Sequence, residues 1–280
     1  MTNALQPPFA AVIGDPIAHS LSPALHAFWL QRAGVRGTYA ALRFEADGST
    51  FPAKIAALQT LGARGVNVTT PHKDRALQIA DDIEEGASAV GAANMLTFTE
   101  AGRIVAANSD VAGVRTPVER VFPDISASRV LIVGAGGAAR AAAVALRDAG
   151  ALSIANRTRS KAEEVAGVIG GGAAVRDIDT ARGENFDLVV NATTLGMRGG
   201  PSFPEHLCVP SAGGAFFEMV YNPLRTKAAA RAEGAGRHLI DGLDMLIAQA
   251  AEAARRWFGI EPAPADETKA MLIRLLEARA

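Results

Sequence analysis

One cysteine, Cys208, stands in a chain of 280 residues. An internal disulfide and a thiolate-rich zinc site are therefore excluded, and a reducing compartment fits. Aromatics are sparse, at 5%, with two Trp and two Tyr. Neither charge is in excess: 28 Lys and Arg against 29 Asp and Glu leave a net charge of −1. That balance gives no basic footprint for nucleic acid. The histidines, His19, His26, His72, His206 and His238, lack the H-E-x-x-H spacing, so no metal site is expected. The longest stretch free of Asp, Glu, Lys and Arg runs from Pro16 to Gln31. It contains His, Ser, Pro and Gln, so no membrane span is expected. The first fourteen residues carry no Lys or Arg and no cleavage-like pattern, so no secretory leader is expected. The expected location is the cytoplasm.

Glycine is abundant, at 28 residues, in a chain 49% hydrophobic and 20% charged. The length suggests two domains, or one large one. Short apolar strands alternate with helical stretches, which predicts an α/β protein. Strands are expected at 10–14, 37–42 and 65–68. Helices are expected at 23–33, with Ser22 as N-cap and Pro23 in first position, at 49–61, and from near Pro71. A strand pair at 92–98 and 103–107 closes this half, with a turn at 100–102. Near Ala112 the pattern restarts. Strands are expected at 129–133, 152–155, 187–191, 216–220 and 238–240. Helices are expected at 138–149, ended by Gly150, and at 160–169 and 226–235. Two further helices, 243–258 and 266–278, finish the chain.

The strongest local signal is RVLIVGAGGAARAAAVAL, residues 129–146. An apolar strand ends in Gly134-Ala135-Gly136-Gly137-Ala138-Ala139 and runs into a helix, the context a G-x-G-x-x-A dinucleotide fingerprint requires. Gly134 permits the tight turn. Gly136 lets the backbone approach a pyrophosphate. Ala139 allows close helix–strand packing, and the helix start offers free N–H groups to phosphates. An NAD site usually places an acid about 20 residues further on. Here Asn156 stands there, followed by Arg157, Thr158, Arg159 and Lys161. Cations at a helix start run against its dipole, and a 2′-phosphate would account for them. NADP is therefore expected over NAD.

Three segments of the first half place polar residues beside strand ends. They are Gly14-Asp15-Pro16-Ile17-Ala18-His19-Ser20-Leu21-Ser22-Pro23, Asn67-Val68-Thr69-Thr70-Pro71-His72-Lys73, and Gly91-Ala92-Ala93-Asn94 with Asn108-Ser109-Asp110. Hydroxyls, side-chain amides, one Lys and one Asp suit a small polyhydroxylated acid. Singly, each residue reads as a cap, a turn residue or a solvated charge.

Together these segments resemble the shikimate dehydrogenase family, along nearly the whole chain. The motifs GDPIAHSLSP, NVTTPHK, GAAN, NSD, GAGGAAR, NRT, NATTLGM, EMVYNP and DGLDMLIAQAA occur in the family's order. The resemblance implies a mixed-sheet substrate domain (1–111 and 241–280) and a Rossmann-like NADP domain (112–240), with a C-terminal helical return to the first. It implies interconversion of 3-dehydroshikimate and shikimate by hydride transfer, by a monomer or homodimer. It implies that Ser20 and Ser22 hold the substrate carboxylate, with Thr69 nearby, and that Asn94, Asp110 and Gln249 hold ring hydroxyls. Lys73 would be the proton donor and acceptor, paired with Asp110, and Tyr221 would line the substrate site. Gly134, Ala135, Gly136, Gly137, Ala138, Asn156, Arg157, Thr158 and Lys161 would hold the cofactor. Met219 and Gly242 would approach its nicotinamide end, and Glu85 stands at a position sometimes given to cofactor contact.

The sequence departs from the family pattern at Met95, Val111, Glu218 and Asp244, where Thr, Gly, Asp and a small residue are usual. Met95 is expected to tune the ring pocket. The departures leave open a paralogue acting on quinate or another cyclic hydroxy acid, with NADP or NAD. A non-catalytic dinucleotide-binding regulator is the alternative from another class, and the intact Lys73, Asp110, Ser20, Ser22 and Gln249 argue against it.

Overall fold

A run of apolar residues without alternation fits a strand covered on both faces. Phe9–Gly14 is such a run and forms β1, all of it buried but the first residue. The computed structural model describes residues 7–278. The chain divides into two compact units. One extends to Ser109 and regains Gln249–Leu272; the other holds Asp110–Ala248 and the chain from Ile273 onward.

In the first unit β1 is followed by α1 (Ser22–Arg32), β2 (Thr38–Arg43), α2 (Phe51–Thr60), β3 (Gly65–Val68) and α3 (Lys73–Gln78). Then come β4 (Asp82–Ile83), α4 (Glu85–Val90), β5 (Met95–Phe98) and β6 (Ile104–Ala107). The sheet order is β2-β1-β3-β5-β6-β4. β1 lies parallel to β2 and β3, while β5 runs antiparallel to β3 and β6, so the sheet is mixed, as expected. One face carries Ala11, Ile13, Val66, Val68 and Leu96 against Phe51, Ile55 and Leu58 of α2. The returning segment Gln249–Leu272 completes this unit. The Trp29 indole donates to Thr268 Oγ1 at 2.9 Å, and the Trp257 indole donates to Thr97 Oγ1 at 3.0 Å. Gly65 makes room for Trp257, because a Cβ there would run into its indole ring.

The second unit begins with α5 (Asp110–Val121) and continues with β7 (Arg129–Val133), α6 (Gly137–Ala145), β8 (Ala151–Ala155), α7 (Arg159–Gly167) and β9 (Ala173–Arg176). β10 (Leu188–Asn191), β11 (Ala215–Glu218), α8 (Lys227–Gly234), β12 (His238–Ile240) and the start of α9 (Gly242–Ala253) follow; the end of α9 and α10 (Ala265–Ala278) up to Leu272 belong to the returning segment of the first unit. All six strands are parallel, in the order β12-β11-β10-β7-β8-β9. Strand alternation splits β7 between two cores. Val130 and Ile132 pack toward Val114, Ala142, Ala143 and Val165. Leu131 and Val133 pack toward Leu207, Ala228 and Ala232. The strand order reverses between β7 and β10, the switch point where doubly wound sheets bind nucleotides beyond the strands' C-terminal ends.

Several boundaries differ from expectation. Ser22 is the first helical residue rather than the N-cap; Leu21 takes the cap position, and Ser20 Oγ accepts from the Ser22 N–H at 3.3 Å. α6 ends at Ala145, before Gly150. β5 starts at Met95, because Ala92 and Ala93 lie outside the β3 and β6 ladders. The expected helix 243–258 relaxes to π-helical turns over Ala254–Phe258. β4, α4, α5 and β9 are additional elements.

Candidate active site and nucleotide site

The first unit's sheet gathers its polar loops on one edge. β1 and β3 end side by side, with Ile13 beside Val68, so the segments after them emerge together. Thr69 N–H donates to Ile13 O at 2.9 Å, and Asp15 N–H donates to Thr70 O at 3.1 Å. β5 runs the other way, with Met95 opposite both Asn67 and Ala107. Its start, Asn94, and the end of β6 therefore reach the same edge. Ser20, Ser22, Thr69, Lys73, Asn94 and Asn108-Ser109 all lie on the segments at this edge.

Hydrogen bonds fix these groups. Asn94 is buried, and its Oδ1 accepts from Ser109 N–H at 2.7 Å while its Nδ2 donates to Ser109 Oγ at 3.2 Å. Asn67 donates to Asn94 O at 3.2 Å and accepts from Tyr39 Oη at 2.6 Å. Lys73 opens α3 and is partly exposed, and its carbonyl accepts from Ala93 N–H at 3.0 Å. The preceding His72 is buried; its Nε2 lies 3.0 Å from Phe44 O and its Nδ1 lies 3.1 Å from Arg75 Nη1. His72 and Asn67 thus brace Lys73 and Asn94. Both sat inside the NVTTPHK motif, but nothing local in the sequence marked His72 as buried or Asn67 as a bridge to Asn94. Gln249 belongs to this unit and is partly exposed.

Met95 is fully buried. It lies in the interior beside Asn94, which is buried as well.

In the second unit the nucleotide loop lies beyond the ends of β7 and β10. Gly134 has φ +126°, and a Cβ there would come within 2.7 Å of Ala192 O. Only glycine meets both constraints. Gly136 caps α6, and a Cβ on it would meet nothing within 4 Å. The helix start is thus open to a phosphate, and Ala139 is buried against the sheet. Ala135, Gly137 and Ala138 complete the turn. Beyond β8, Asn156 Nδ2 donates to Thr158 O at 3.0 Å. Arg157, Thr158 and Lys161 are exposed. Arg159 is not a free cation: it pairs with Glu163 one helical turn on, at 3.0 Å. These donors fit a dinucleotide carrying a 2′-phosphate. At the other end of the site Gly242 packs on Met219, where a Cβ would lie 2.5 Å from Met219 O. Tyr221 is half-buried, and burial pushes its hydroxyl up. Asp110 opens α5 and is buried; Glu85 is exposed at the start of α4. Among the described residues no three His, Cys, Asp or Glu gather as a metal site.

The sequence matches three family models in succession: Shikimate dehydrogenase substrate binding domain over residues 12–96, Shikimate / quinate 5-dehydrogenase over 116–196, and Shikimate 5'-dehydrogenase C-terminal domain over 242–272. It is 39% identical, over 98% of this chain and 99% of the relative, to the NADP(+) shikimate dehydrogenase of Cereibacter sphaeroides (strain ATCC 17025). The chain belongs to the shikimate dehydrogenase family. Its identity to the Dinoroseobacter shibae enzyme of the same description is 40%, over 94% of this chain and 96% of that one. Among solved structures, Thermus thermophilus shikimate 5-dehydrogenase in complex with NADP(H) and shikimate aligns with a TM-score of 0.83 and 34% identity, covering 94% of this chain and 98% of that one. Quinate dehydrogenase from Corynebacterium glutamicum in complex with NAD aligns with a TM-score of 0.85 and 28% identity, covering 96% and 99%.

Three departures from the family pattern are absorbed by structure. Val111 packs against the second unit's core. Asp244 closes a capping arrangement on α9: its Oδ2 accepts from Asp241 N–H at 3.2 Å while Asp241 Oδ1 accepts from Leu243 N–H at 2.9 Å. Glu218 lies at the centre of a buried network.

Proposed function

We propose that this chain is an NADP-dependent shikimate dehydrogenase, an oxidoreductase interconverting 3-dehydroshikimate and shikimate. The observation that carries the reading is the gathering of Ser20, Ser22, Thr69, Lys73 and Asn94 on segments at one edge of the first sheet, with Asn94 held rigidly by Ser109. Ser20 and Ser22, at the open start of α1, suit a carboxylate. Thr69, Asn94, Asp110, Tyr221 and Gln249 supply partners for the rest of a polyhydroxylated ring. The exposed Arg157 and Lys161 beyond β8, with Asn156 where an acid would disfavour a phosphate, suit NADP over NAD.

Bound nicotinamide supplies or takes the hydride. As the ketone is reduced, negative charge grows on its oxygen. The Lys73 ammonium stabilises that charge and delivers the proton; in oxidation the same nitrogen takes the proton back. The resemblance to the family gives Asp110 the role of partner to Lys73 and to a ring hydroxyl. The small acid is the only partner the reading requires. No helix among the described residues is long and apolar enough to cross a membrane, and the cytoplasm is the proposed location.

The test is a panel of shikimate, quinate and aminoshikimate with NADP+ and NAD+. The reading expects the highest kcat/KM for shikimate with NADP+. A higher value for quinate with either cofactor would overturn it.

A further inference from the structure

Glu218 ends β11 and has no exposed surface. Its Oε1 accepts from Asn191 Nδ2 at 2.8 Å and from Val220 N–H at 3.1 Å, and its Oε2 accepts from Thr226 Oγ1 at 2.8 Å. Each partner leads elsewhere. Asn191 ends β10; its Nδ2 also donates to Leu195 O at 3.0 Å, and its Oδ1 accepts from Thr193 N–H at 3.1 Å and Thr193 Oγ1 at 2.6 Å. The turn so fixed contains Ala192, the residue against which Gly134 packs. Val220 follows Met219, whose N–H donates to Asn191 O at 3.3 Å and whose carbonyl region receives Gly242. Thr226 is the N-cap of α8, its Oγ1 accepting from Ala229 N–H at 3.1 Å. One buried carboxyl therefore joins the wall of the phosphate turn to the segment expected at the nicotinamide end.

We propose that Glu218 is a positioning residue for the dinucleotide, setting the Ala192–Leu195 turn and the Met219–Val220 backbone in register through Asn191, Val220 and Thr226. The proposal rests on the NADP reading above but concerns residues that reading leaves unused. Hydrogen-bond geometry, not charge, is what the arrangement exploits. Burial pushes the carboxyl up to about 7, and no charged side chain contributes to its environment. The neutral form keeps both bonds to Oε1, and it donates to Thr226 Oγ1 once that hydroxyl, the donor to Oε2 here, turns its hydrogen away. A glutamine copies that form.

The experiment compares Glu218→Ala and Glu218→Gln with wild type, titrating each protein with NADP+ alone and recording its melting temperature. Glu218→Ala takes their shared acceptor from Asn191 Nδ2, Val220 N–H and the Thr226 hydroxyl, leaving Asn191 Nδ2 only its bond to Leu195 O, and its Kd for NADP+ is expected to rise about tenfold, the effect of one lost hydrogen bond of typical strength. Its KM for NADP+ should rise with little change in KM for shikimate. Glu218→Gln should bind within twofold of wild type. Should Glu218→Ala not fold, Thr226→Val, which removes one arm and with it the N-cap of α8, is expected to weaken NADP+ several-fold and decides in its place. A wild-type Kd in whichever variant decides, with only the melting temperature lowered, overturns the proposal. So does a Glu218→Gln protein as weak as Glu218→Ala, because charge rather than geometry would then be responsible. Wild type that fails to bind NADP+ overturns this proposal and the functional reading together. Wild type that binds NADP+ but does not turn over shikimate overturns the functional reading alone, and the Kd comparison still decides this one.

Discussion

The two units hold their polar groups in opposite ways. At the rim of the first, polar groups are tied to one another: Tyr39 Oη to Asn67 Oδ1, Asn67 Nδ2 to the Asn94 carbonyl, Asn94 Oδ1 to Ser109 N–H. At the rim of the second, the glycine turn offers backbone, and its cations stand in solvent. The interiors reverse the contrast. The first unit buries His26 with both ring nitrogens unpartnered, stacked on Tyr39 at 4.0 Å. The second buries Glu218 with three donors on it. A ring with fixed hydroxyls calls for groups set in advance, since a site built to pair a hydroxyl discriminates strongly. A phosphate is recognised largely by charge, which tolerates mobile side chains.

The contrast predicts effects of different size. Lys73→Ala should lower kcat by about 10²–10⁴-fold, typical for a lost general acid, while the Kd for NADP+ stays put. Single-turnover rates with saturating shikimate and NADP+ measure this; an unchanged rate removes Lys73 from the chemistry. Arg157→Ala should weaken NADP+ by roughly 1.5–3 kcal/mol and NAD+ hardly at all. Equal losses, read by titration with each cofactor, would make the arginine structural and erase the difference between the two rims.

His26 offers the same test at depth. Burial lowers its pKa to about 3. Unfolded, it takes a proton below about pH 6.5, while the folded ring stays neutral. The unfolded state therefore binds more protons between these values, and stability falls as pH falls through that window. By pH 5 the loss should be about 2 kcal/mol. His26→Phe keeps the stack and should flatten that limb in urea unfolding at pH 5 and 7. Parallel pH slopes for the two proteins would clear His26 of the acid sensitivity. The smallest effect is expected for Arg159→Ala. Its guanidinium is held by Glu163, so NADP+ affinity should change less than twofold. A tenfold loss would mean that this pair opens to the cofactor.

Much of this architecture was legible in the sequence because its signals are local. The RVLIVGAGGAAR segment states strand, turn and helix within twelve residues, and the structure adds only the reason for Gly134, the Ala192 carbonyl beneath it. The mixed sheet was implied by the resemblance to the shikimate dehydrogenase family, not by any one segment. What escaped was set by distant partners. Ser22 looks like a cap, but Ser20 reaches over it to its N–H. The place of Met95, opposite both Asn67 and Ala107, shows only once β5 is paired on both sides. The meaning of Glu218 depends on Asn191, 27 positions earlier, and no local pattern joins them.

The return of Gln249–Leu272 to the first unit has a consequence for synthesis. The sheet of that unit leaves the ribosome early, but its Trp29 indole waits for Thr268 and the space over Gly65 waits for Trp257. Until those residues emerge, a half-finished core lies open and aggregation-prone, while the strands of the second unit, contiguous in the chain, can already pair. A nascent chain halted after Ala248 should thus be protease-resistant over β7–β12 and digestible before Ser109. The last helix is the latch that ends this vulnerable interval.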